Sequence, residues 1–67
     1  MIENAEKATE IALSFIKQHY HFGGHPLKAK REDATWTVDI DVGMLLTEIV
    51  TVKIDAENGS IISYETK

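Results

Sequence analysis

Three histidines, His19, His21 and His25, fall within seven residues, and imidazole nitrogens are the commonest protein ligands for zinc, copper and nickel. On a continuous helix His19 and His21 stand about 200° apart around the axis, so they cannot share an ion. A metal site therefore requires the helix to end by His19, with the following segment folding His21 and His25 around the metal. The competing assignment is a set of helix-terminal imidazoles that suit the negative end of the helix dipole.

Asp39 and Asp41 form a second candidate. Two residues apart on a strand, their carboxylates point the same way about 7 Å apart, a spacing compatible with an acid and base pair or a weak calcium contact. General acid or base work needs one carboxylate desolvated, and no apolar residue alternates with them on that side. The expectation is a solvated face, with Lys28 opposite Asp39 if the hairpin turns at Asp33-Ala34. The Asp55 to Gly59 stretch is no calcium loop, because its glycine arrives at the fifth position rather than the sixth and no glutamate closes it. Gly23 and Gly24 follow a helical segment, whereas phosphate-cradling glycines precede one. Ser14, Ser60 and Ser63 have no nucleophile-elbow context. These patterns predict no enzyme and no cofactor.

The elements that must position these groups are set by a short chain. With 67 residues there is room for one domain, residues 1–67, and one core, and a domain of this size buries only about 60% of the surface exposed by its unfolded chain. The sequence has no cysteine, which excludes disulfides, thiolate metal cages and thiol redox chemistry. Its 43% hydrophobic and 27% charged residues are those of a folding globular protein. Net charge is −4, and the cations are dispersed apart from Lys28, Lys30 and Arg31. Neither nucleic acid nor an anionic membrane is an expected partner. Glu3, Glu6, Lys7 and Glu10 interrupt the apolar stretch a signal peptide needs, and no apolar run approaches spanning length, so a cytoplasmic location is expected.

From Ala5 to about His21 the residues Ala5, Ala8, Ile11, Ala12, Phe15, Ile16 and His19 or Tyr20 recur at three and four, with Leu13 widening the face. This predicts an amphipathic helix, capped by Asn4 and ended by Gly23 and Gly24, one of which supplies a left-handed residue ahead of Pro26. The period then becomes two. Leu27 and Ala29 alternate with lysines; Trp36, Val38, Ile40 and Val42 alternate with Thr35, Thr37, Asp39 and Asp41; Val50, Val52 and Ile54 share one side of a third strand. Asp55 to Gly59 turns the chain into a last strand with Ile62 and Tyr64 as expected core residues. Short turns forbid parallel crossovers, so the predicted fold is α+β: an N-terminal helix packed on a four-stranded antiparallel β-meander, in the order α-β-β-β-β.

Ala8-Thr9-Glu10-Ile11-Ala12-Leu13, the aromatic-led Trp36-Thr37-Val38-Asp39-Ile40, and the stretch from Val52 through Asp55-Ala56-Glu57-Asn58-Gly59 to Ile61 together resemble the PepSY domain, over roughly Ala5 to Tyr64. The resemblance implies a non-catalytic module that binds, and in protease propeptides inhibits, a peptidase. The strand Trp36, Val38, Ile40, Val42 and the hairpin from Asp55 to Tyr64 also resemble the gas vesicle protein O family, which implies a cytoplasmic gas vesicle accessory role.

Gly43-Met44-Leu45-Leu46 places three large apolar side chains in a connection, where polar residues are the norm. They either meet a partner or close the open end of the core. The outer side of the sheet is expected to show Lys28, Lys30, Thr35, Thr37, Asp39, Asp41, Thr51, Lys53 and Ser63, with Ile49 and Ile61 as an apolar spot. The functional expectation is a protein- or peptide-interaction module that uses Met44, Leu45, Leu46, Ile49 and Ile61, as a monomer or weak homodimer. The alternative from a different class is a metal-binding protein that uses the histidines.

Overall fold

A computed structural model describes residues 2–20, 23–43 and 45–66. The chain forms α1 (Ala5–Tyr20), β1 (His25–Glu32), β2 (Thr35–Asp41), β3 (Ile49–Asp55) and β4 (Ile61–Thr66). The strands lie in one antiparallel sheet in sequential order, which is the predicted α+β meander.

The helix starts where a cap is available: the Lys7 amide donates to Asn4 Oδ1 at 2.8 Å, satisfying one of the free donors of the first turn. Ala8, Ala12 and Ile16 are buried against the sheet, the two alanines allowing the helix close to it. Ile11, Leu13, Phe15 and Tyr20 pack around that contact. Gly24 has a different task from the expected left-handed stop. Neither it nor Gly23 lies in the left-handed region, and a Cβ at Gly24 would run into Ile40 and press on Val42 and Ile16. The residue is glycine because the chain crosses the end of the core without room for a side chain.

Strand periodicity delivers the core as read: Trp36, Val38, Ile40 and Val42 are buried, as are Val50, Val52 and Ile54. Two positions depart from it. In β1 the register shifts between Pro26 and Lys28, so Leu27 drops out of the alternation and is 51% exposed. In β4 the register shifts opposite Lys53 and Ile54, which reverses the faces expected there. Ile61 sits opposite Ile54 and packs on the core, whereas Ile62, expected inside, is exposed. Tyr64 does lie opposite the buried Val52, yet it remains half exposed. One inserted residue exchanges the faces on one side of the shift, at Ile61 and Ile62, and leaves Ser63 and Tyr64 as expected, because strand side chains alternate with a period of two.

A feature outside any periodicity completes the core. Ile2 is buried; its amide donates to the Ala56 carbonyl at 2.6 Å, and its own carbonyl accepts the Trp36 indole N–H at 2.9 Å. A buried indole needs an acceptor, and the residues before the helix supply it. Gly59, at φ 79°, closes the last hairpin beneath Ile2 and Ile11. The helix rests on β1, β2 and β3; β4 is exposed over nearly all its length.

Candidate functional site

The connection between β2 and β3 is the most unusual surface of the molecule, and Asp41 builds it. Its Oδ1 accepts from the Gly43 amide at 2.9 Å and the Glu48 amide at 3.2 Å. Beside them the Val42 amide donates to the Glu48 carbonyl at 2.8 Å. Gly43 is indispensable to this closure, since a Cβ would collide with the Leu46 carbonyl oxygen and crowd the Glu48 nitrogen. The two backbone donors, Gly43 first and Glu48 second, hold the Asp41 carboxyl below its ordinary value against the opposing effect of desolvation, with nearby His25 the smallest contribution.

What this bracing presents is apolar. Leu45 is 98% and Leu46 84% exposed, so neither closes the open end of the core, which Gly24 and Val42 already fill. Met44, predicted with them, lies outside the described residues. Thr47 and Glu48 follow as exposed polar neighbours. Ile49 is half-buried at the base of the tip, in register with Asp41. Ile61 belongs elsewhere: its inward turn removes it from the outer face on which it was expected.

The outer face holds a second departure. Asp39, expected in solvent, is 5% exposed, and Thr51 opposite it is 6% exposed. Thr51 Oγ1 donates to Asp39 Oδ1 at 2.8 Å, and the Lys28 ammonium lies 3.8 Å from Oδ2. The cross-strand pairing with Lys28 is the predicted one. Position explains the burial: Asp39 and Thr51 sit on the two central strands, between Lys28 of β1 and Glu65 of β4 in one row across the sheet. The side chains of neighbouring strands cover what a two-strand view leaves open. Asp39 is thus engaged with Thr51 and Lys28 while Asp41 braces a loop, so the two carboxylates carry separate tasks.

The described histidines are held apart. His19 is exposed at the helix end, its Nδ1 3.0 Å from the Phe15 carbonyl oxygen, with its ring 4.2 Å from Phe15 and 5.9 Å from Tyr64. His25 opens β1 in register with Asp41. His21 lies outside the described residues. Among the described residues no group of three His, Cys, Asp or Glu side chains is placed to hold a metal, and no helix is long and apolar enough to cross a membrane.

The leucine tip was legible as an apolar run in a connection. Its bracing by Asp41 was not, although a D-x-G sequence at the end of a strand is the local signal, since aspartate readily accepts from an amide two residues on. No protein-family model, curated protein or solved structure matches the chain significantly.

Proposed function

We propose that this chain is a non-catalytic binding module that engages a protein or peptide partner through the tip formed by Leu45 and Leu46. The observation that carries this is the pairing of near-complete exposure of two adjacent leucines with a backbone held by three hydrogen bonds around Asp41 and Glu48. A disordered apolar loop loses much of its binding energy to ordering, whereas a braced one presents its side chains already placed. The partner that fits has an apolar cleft for two leucines, with a rim that accepts the carboxylate of Glu48. The resemblance to the PepSY domain supports a regulatory or inhibitory role of this kind.

The test replaces Leu45 and Leu46 separately with serine. Both side chains leave water only when a partner is bound, so each variant should unfold within about 0.5 kcal/mol of the wild type. A photo-crosslinker at Thr47, active in the native cell, should capture a defined partner in the wild type and fail in Leu45→Ser and Leu46→Ser. Equal capture by variants of wild-type stability removes the tip from the interface.

A further inference from the structure

The sheet ends in two edges, and they are built to opposite specifications. Edge strands carry unpaired backbone groups that invite another strand, and proteins block them with proline, bulges and charge. β1 has all three: Pro26 lacks an N–H, the register shifts at Leu27, and Lys28, Lys30 and Arg31 follow in close succession. β4 reads Ile61-Ile62-Ser63-Tyr64-Glu65-Thr66, with one charge and no proline. Beyond its own shift near Ile62 it runs regularly from Ser63 to Thr66 against β3.

The layer above repeats the asymmetry. α1 rests on β1, β2 and β3, so the helix side of β4 is a shelf instead of a closed core. Its floor is Tyr64, 47% exposed, and its wall is Phe15, edge-on to Tyr64 at 4.9 Å, with His19 beyond. Among the described residues, the aromatic cluster is half open at an edge that has neither the proline nor the run of cations of β1.

We propose that β4 pairs antiparallel with β4 of a second copy of this chain, about a two-fold axis perpendicular to the sheet. This operation joins two four-stranded sheets into one and keeps both helices on the same side. The two shelves then face each other across the seam, so that aromatic surface closes over the new strand pair. Charge selects this occupant. A register centred on Tyr64, within the regular stretch from Ser63 to Thr66, places Glu65 opposite Ser63 of the second copy, so no two carboxylates meet. Pairing β1 with itself would bring together two sets of Lys28, Lys30 and Arg31. Pairing β1 with β4 would leave a free edge at each end and grow without closing. A standard interface takes about 800 Å² per partner, roughly a sixth of the 4535 Å² surface of one chain, and a smaller one suits a reversible dimer. A strand edge about 20 Å long supplies part of that area, and the surface of Tyr64, Phe15, His19 and Ile62 beside it supplies the remainder in this arrangement. The inference is independent of the leucine tip.

Sedimentation equilibrium of the intact chain tests it. Average mass should rise with concentration toward that of two chains between about 10 μM and about 1 mM and go no further. Tyr64→Lys and Ile62→Lys, each confirmed as folded by far-ultraviolet circular dichroism, should remain at the mass of one chain. The chain has no cysteine, so Ser63→Cys and Tyr64→Cys give a second readout. One of them should oxidise to a disulfide-linked dimer at least tenfold faster than Lys30→Cys on the other edge. A single-chain mass throughout overturns the proposal, and so does growth beyond two chains. A dimer indifferent to both β4 lysine variants, or faster cross-linking through Lys30→Cys, overturns it equally.

Discussion

The β1–β2 and β2–β3 connections solve one geometrical problem with opposite materials. Asp33 and Ala34 turn the chain in two residues, with Asp33 in the left-handed region at φ 54° and its carbonyl accepting from Arg31 Nε at 3.1 Å. This turn reverses the chain at minimal length and offers the Ala34 carbonyl to the Ala56 amide at 2.8 Å, and aspartate is among the few non-glycine residues that accept its backbone. The segment from Val42 to Glu48 is far longer than reversal requires. It is held by side chain to backbone bonds from Asp41 and spends its extra length on two exposed leucines. Adjacent antiparallel strands need no more than the first kind, so the sheet itself does not require the added length of the second.

Three perturbations probe the contrast, in order of expected effect. Gly43→Ala should be the most damaging, because a Cβ meets backbone on the other side of the loop and the loop must reopen to admit it. A loss of about 2–3 kcal/mol in urea unfolding is expected. Wild-type stability for this variant would show that the tip is only loosely closed. Asp33→Val should cost about 1–2 kcal/mol, since a β-branched residue resists the left-handed conformation, while Asp33→Gly should stay close to wild type. Equal losses for both would mean that the Asp33 side chain, and not its backbone, maintains the turn.

Asp41→Asn should have the smallest effect and a distinctive pH dependence. The amide can still accept from Gly43 and Glu48 through oxygen, but its charge is gone. Because the folded carboxyl is held below the ordinary 3.8, its contribution is complete above that value and disappears as pH falls through the lower folded value. The wild type should therefore lose more stability than Asp41→Asn between pH 7 and about pH 3. Parallel acid limbs for the two proteins would contradict the bracing role.

The elements themselves were legible because each is governed by its own period. Ala8, Ala12 and Ile16 mark the buried helix face by spacing, and Trp36 to Val42 mark the central strand by alternation. Leu27 and Ile62 were misplaced for a common reason: a register shift is a relation between two strands, and one strand read alone shows no sign of it. The burial of Asp39 was hidden similarly, since Thr51 and Lys28, which enclose it, lie twelve and eleven residues away along the chain. Ile2 escaped notice because a single residue ahead of the helix has no period at all. In the candidate site the leucines were visible in composition, whereas their exposure depends on a core end already filled by Gly24 and Val42.

The bond from the Trp36 indole to the Ile2 carbonyl turns the sole tryptophan into a built-in gauge. Release of the residues ahead of the helix would wet one side of the ring and shift its emission to the red before backbone ellipticity changes. Fluorescence and circular dichroism recorded together would then time the unfastening of that clasp separately from loss of the sheet.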